Sequence, residues 1–166
     1  MESRCVHPVT QLAELRVLQG RLEEARVLLE SYEDLPEAVR PLAVLDLALG
    51  DAGAAAARLR RRVDELAEVS VGSLPLHTVL VDACVALEDH EGALRSVRVL
   101  ESVAEATGST RHQGEALFAS GKYLAATGEP DRWTGPAADL LADDRRGGDQ
   151  GLQLLGALDA VHALRI

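Results

Sequence analysis

Residues 12–29, LAELRVLQGRLEEARVLL, constrain this chain more than any other stretch. Leu12, Leu15 and Leu18 fall three apart, and Leu22, Ala25, Leu28 and Leu29 keep helical spacing after them. Each run is one apolar stripe of a short helix. Gly20 divides the two runs, at a place where a left-handed helix end is cheap for glycine and costly for other residues. Two helices this short bury little by themselves, so the unit needs neighbours of its own kind.

The neighbours follow in the same chain. Residues 42–59, LAVLDLALGDAGAAAARL, repeat the pattern, with Gly50, Ala55 and Leu59 where Gly20, Ala25 and Leu29 stood. Residues 80–97, LVDACVALEDHEGALRSV, repeat it again, with Glu88 in the glycine slot and Ala93 in the alanine slot. A fourth copy begins near Gly114, with Gly121 inside its first helix and Gly128 at the turn. The turn slots 20, 50, 88 and 128 are spaced by 30, 38 and 40 residues. A helix-pair repeat of this length predicts an all-α stacked array of about four pairs.

These residues resemble the tetratricopeptide repeat family. Its pattern sets a large apolar residue before a leucine and a small residue, then an alanine with an apolar residue four later. Val9, Leu12, Ala13, Ala25 and Leu29 match it in the first copy; Val39, Leu42, Ala43, Ala55 and Leu59 match in the second. The third copy offers His77, Leu80, Val81, Ala93 and Val97. The resemblance covers about residues 5–131, and its uneven spacing departs from the family's 34 residues. The wording QGRLEEARVLL is similar, more narrowly, to the repeat region of large actinobacterial LuxR-type transcriptional regulators. Those carry an ATPase before such repeats and a DNA-binding helix-turn-helix after them, and neither module is visible in this sequence. In the resembled family the first helix of each pair lines a concave groove. Carried over by position, that groove presents Glu14, Arg40, Val44, Thr78, Asp82, Phe118 and Lys122. The basic clamp that some members use for a partner's terminal carboxylate is missing, because Glu14, Val44 and Asp82 hold its positions.

Periodicity and breakers predict helices over about 8–19, 22–32, 36–50, 52–69, 75–87, 90–107 and 110–127, with the fourth the longest. Pro41 is a kink if the third helix starts at Pro36, and a clean start if it begins near Pro41. After Asp131 the text changes. Trp133 takes the slot that wants alanine, Gly135 and Pro136 follow, and residues 143–151 form a polar, glycine-rich break. Leu155, Leu158, Val161 and Leu164 then mark a closing helix over 152–164. The expected division is repeats over 1–131 and an irregular segment with a closing helix over 132–166.

Composition narrows the function. Apolar residues make up 47% of the 166, but aromatics only 2%, so the core is aliphatic and alanine-rich. That suits close helix packing and ill suits a β-sandwich. A net charge of −10 repels nucleic acid and anionic lipid. The basic run over 58–62 is followed at once by Asp64 and Glu65 and reads as a solvated helix face. The start MESRCVHPVTQ has no apolar signal segment, and no apolar run is long enough to span a bilayer, so a cytoplasmic protein is expected. Cys5 and Cys84 stand in no metal or redox spacing, and Cys84 lies on an apolar stripe as a small buried hydrophobe.

Catalytic patterns fail one by one. Gly121-Lys122 lacks both the spaced glycine and the following serine or threonine of a phosphate loop. No two of His7, His77, His90, His112 and His162 are four apart, so no helix offers a histidine pair to zinc. No G-x-S-x-G turn lifts a serine. Adjacent acidic pairs such as Glu23-Glu24 point apart on a helix. The expectation is a non-catalytic module, with no cofactor, that binds a protein or peptide as the sensing segment of a transcriptional regulator. It touches no nucleic acid or membrane directly, and a homo-oligomer is open to it. The alternatives are an enzyme whose site forms only in three dimensions, and a truncated regulator fragment with no independent activity.

Overall fold

A computed structural model describes residues 6–66, 68–129 and 132. The boundary expected after Asp131, Trp133 in the alanine slot, and the closing helix over 152–164 lie outside these residues. The described residues are all-α. Seven α-helices and three 3-10 turns follow in order, with no strand among them. The helices are α1 (Val6–Leu18), α2 (Leu22–Leu29), α3 (Val39–Ala48), α4 (Ala52–Asp64), α5 (Leu74–Ala86), α6 (His90–Thr107) and α7 (Thr110–Ala126). The chain divides into two compact units, Met1–Val69 and Ser70–Ile166.

In the first unit α1 packs on α2, α3 packs on α4, and α1 also packs on α3. Ala13, Ala25, Leu29, Ala38, Leu42 and Leu45 form its core, edged by Val17, Leu22, Leu28 and Tyr32. In the second unit α5 packs on α6, and α7 packs on both. Its core is Leu74, Val81, Val97, Leu100, Ala104, Ala116 and Ala119. The repeat slots read from the sequence are core positions here. Ala25, Ala55 and Ala93 are fully buried, as are Leu29 and Leu59 four residues after the first two. An alanine at the crossing leaves room for two backbones, and the larger residue one turn later fills the space beyond it.

The same turn closes α1, α3, α5 and α7. Gly20, Gly50, Glu88 and Gly128 all have positive φ, between 57° and 83°. In each case the next residue's N–H reaches back to a carbonyl five positions earlier. Arg21 donates to Arg16, Asp51 to Asp46, Asp89 to Cys84 and Glu129 to Leu124, all at 2.8–2.9 Å. This is the left-handed helix end that satisfies the last carbonyls. Asp51 and Asp89 then cap the following helices by accepting from Ala54 N–H and Gly92 N–H, each at 2.9 Å.

Glu88 is the one described non-glycine residue in that left-handed region. A side chain there costs roughly 1–2 kcal/mol, offset in part by the greater unfolded freedom of glycine. Glu88→Gly should therefore raise the stability of the second unit by about 1 kcal/mol. The check is the urea midpoint; an unchanged or lowered midpoint would mean that Glu88 makes a compensating contact.

Several boundaries depart from expectation. Helix α2 ends at Leu29, and the rest of the expected 22–32 span is a 3-10 turn, Glu30–Tyr32. Pro36 opens a 3-10 turn, Pro36–Ala38, that runs straight into α3, and Pro41 is the third residue of α3. Its missing N–H falls in the first turn, where no intrahelical partner was due. Helix α4 ends at Asp64 instead of near Val69, and α6, with 18 residues, is longer than its 13. Asp64, Glu65 and Glu68 set negative charge against the negative end of the α4 dipole, opposing Arg61 and Arg62 in its last turn. The expected loop after Ser70 contains a 3-10 turn, Val71–Ser73, in which Ser73 Oγ donates to Ser70 O at 2.7 Å.

Candidate functional site

The seven residues expected to face a partner divide between the units. Glu14, Arg40 and Val44 belong to the first; Thr78, Asp82, Phe118 and Lys122 belong to the second. All seven are partly exposed on α1, α3, α5 and α7, the leading helix of each pair.

They are not independent side chains. In the first unit an Arg40 Nη on α3 donates to a carboxylate oxygen of Glu14 on α1. In the second, Lys122 Nζ on α7 donates to Asp82 Oδ1 on α5 at 2.5 Å. Lys122 also lies 4.4 Å from the centre of the Phe118 ring, one helical turn back, in cation–π contact. Thr78 turns inward along its own helix and donates to Leu74 O at 3.0 Å. Each unit thus carries one ion pair linking successive leading helices. At this exposure a pair contributes at most about 1 kcal/mol to stability. It sets a cation and an anion side by side on the surface of each unit.

The sequence reading placed these residues together but missed their pairing. The available signal was positional. Glu14, Asp82 and Lys122 each stand six residues before a turn slot, and Arg40 stands ten before. The two pairs do not share one register, six with ten in the first unit and six with six in the second, so slot position alone does not assign the partners. The basic run is less solvated than expected: Arg61 is exposed, but Arg58, Arg60 and Arg62 are half-buried around the fully buried Leu59. Arg58 Nε donates to Asp46 at 3.1 Å, and Arg62 lies 3.4 Å from Glu65.

Two buried polar groups stand apart from this surface. Arg40 Nε is buried with no hydrogen-bond partner, although the other end of the guanidinium reaches Glu14. His77 is 4% exposed, and neither ring nitrogen has a partner. It occupies the slot held by Val9 and Val39 in the earlier copies. Burial pushes its pKa below the ordinary 6.5. The unfolded chain therefore binds a proton at a pH where the folded chain does not. The stability that comes from keeping His77 neutral is full above about pH 6.5 and is lost as pH falls through the folded pKa. His77→Leu should remove this loss, so its stability advantage over the parent should grow between pH 7.5 and pH 5.5. Urea midpoints at the two pH values measure it, and a constant difference would show that His77 binds its proton equally well in the folded and unfolded chain.

Cys84 is fully buried on α5, as its stripe predicts. His112 Nδ1 lies 3.0 Å from Thr107 Oγ1, near the junction of α6 and α7. Among the described residues, no group of three or more His, Cys, Asp or Glu side chains is placed to hold a metal ion. No described helix is long and apolar enough to cross a membrane.

Fold and surface together define the described residues as an all-α array of helix pairs whose leading helices carry paired, partly exposed charge. Comparison with family models, with curated proteins and with solved structures finds no match.

Proposed function

We propose that this chain is a non-catalytic repeat module that binds a protein or peptide through the exposed sides of its leading helices. One observation carries this reading: Glu14–Arg40 and Asp82–Lys122 hold charge in place across neighbouring leading helices while remaining open to solvent. A partner that meets fixed charges loses less side-chain entropy on binding than one that must order them. Beside Lys122 the Phe118 ring adds an apolar contact surface. The mixture of both charge signs and apolar surface fits a peptide that is itself of mixed character, and opposes an acidic polymer such as nucleic acid.

The narrower reading is that the module is the sensing segment of a transcriptional regulator and resides in the cytoplasm. Its support is the resemblance of residues 19–29 to the repeat region of LuxR-type regulators. Reading the flanking coding DNA in all frames for a helix-turn-helix tests that part separately.

Binding is tested with peptides selected from a random display library on the immobilised chain, then titrated calorimetrically. Arg40→Glu or Lys122→Glu should weaken a selected peptide by about tenfold or more, the loss of one charge-assisted contact. Arg61→Glu, on the exposed face of α4, should leave affinity unchanged. Equal losses from all three substitutions, or a library that yields no binder, would count against recognition by the leading helices.

A further inference from the structure

The repeat allows one helix face to be compared with its own copies. Counted back from the turn slots, Leu12 and Leu15 of α1 correspond to Leu42 and Leu45 of α3. Leu42 is 5% exposed and Leu45 3%, and both pack in the first unit's core with Ala13, Ala25 and Leu29. Pro8 corresponds to Ala38, which belongs to the same core. In α7 the position matching Pro8 is Ala116, a core residue of the second unit. On α1 the same slots face outward. Leu12 is 37% exposed, Leu15 47% and Leu18 83%, and Pro8 is exposed beside them. The face that later helices bury against a preceding pair is open on α1.

This face has two properties that bear on what covers it. With 100° per residue, Pro8, Gln11, Leu12, Leu15, Leu18 and Gln19 share it, and none is charged. In a chain of net charge −10, a charge-free face is where two copies approach with least repulsion. The order of residues is also symmetric about Leu15. An antiparallel copy of α1 related by a dyad at Leu15 sets Leu12 opposite Leu18, and Gln11 opposite Gln19, in both directions. Such self-matching is the requirement of an isologous contact. The amides suit it. Gln11 Nε2 donates to His7, which leaves its oxygen to accept; Gln19 Oε1 accepts from Arg16, which leaves its nitrogen to donate.

We propose that α1 is a self-association face, on which a second copy of this chain packs antiparallel about Leu15 to form a twofold dimer. A single-helix face lies at the small end of interface sizes, so the dimer depends on concentration. Leu12 and Leu15 enter the kind of environment that Leu42 and Leu45 already have inside the chain.

Sedimentation equilibrium of the full chain over a concentration series reads the mass. The expected result is a shift from 17.7 kDa toward twice that value as concentration rises. Leu15→Glu brings two carboxylates together at the dyad and should weaken association by about a hundredfold or more. Leu18→Glu, at the most exposed of the three leucines, is the second variant should Leu15→Glu fold poorly. Leu49→Glu, at an exposed position just past the end of α3, should dimerise like the parent. Register is read by oxidation in a Cys5→Ser background. Leu15→Cys should cross-link to itself, and Leu12→Cys should cross-link to Leu18→Cys but not to itself. A monomer mass at every concentration overturns the proposal, whether the chain's own later residues cover the face or nothing does. So does a dimer that survives both charged variants while they keep their helical circular dichroism. Self-linking of Leu12→Cys as fast as that of Leu15→Cys overturns the register.

Discussion

Leu29→Ala is expected to destabilise the first unit by about 2–5 kcal/mol, the usual range for a buried leucine cut to alanine. Leu29 is fully buried and is among the largest side chains in that condition. Three of its five core companions are alanines, Ala13, Ala25 and Ala38. Alanines are fixed to the backbone and cannot swing into the space that a lost isobutyl group leaves. The other two, Leu42 and Leu45, sit on α3, which is held against α1 by the same core. The cavity therefore stays largely open, and the loss belongs in the upper part of the range. A urea titration followed by helical circular dichroism would show it as an earlier transition for part of the signal. A midpoint shift equivalent to less than about 1 kcal/mol would mean that the core collapses around the cavity more readily than its alanine content allows.

Ala55→Leu should produce the opposite fault at a comparable scale. Ala55 lies at the start of α4, fully buried, with Ala56 and Leu59 on the same side. It holds the slot of Ala25 and Ala93, both fully buried. Three added carbons at a crossing sized for a methyl group force the two helices apart or push side chains off their rotamers, at about 1–3 kcal/mol. Ala57 makes the control. It is exposed two residues further on, and Ala57→Leu changes helix propensity only slightly. Equal midpoints for the two variants would show that Ala55 is not at a close crossing.

The two substitutions act on positions that were legible before any coordinates. The reason is that both requirements are local and steric. A turn that ends a helix in a left-handed conformation excludes side chains, so Gly20, Gly50 and Gly128 mark it in the text. Two backbones in contact leave room for one methyl, so Ala25, Ala55 and Ala93 recur five residues after the turn. Each demand falls on one residue type at one spacing, and repetition makes it visible. Glu88 shows the strength of the frame. It breaks the glycine rule, yet the same turn forms around it, because the Asp89 N–H to Cys84 carbonyl bond and the Asp89 cap are still made.

Other features depended on distance rather than on residue type. Glu14 and Arg40 are 26 residues apart, Asp82 and Lys122 40 apart. Nothing in the local sequence of either partner shows that it will meet the other, and the leading-helix row alone reads as seven separate contacts. The third copy's His77 was legible as filling an apolar slot. That both its nitrogens would be left unpartnered was decided by which atoms the packing brought near. The sequence by itself determined an all-α chain of paired helices, the four turns, and the small residues at the crossings, because each is a steric demand met within a few residues. Tertiary structure alone decided which charges pair, which histidine is stripped of water, and that the outer face of α1 stays open. Those depend on what another part of the chain, distant in sequence, places beside them.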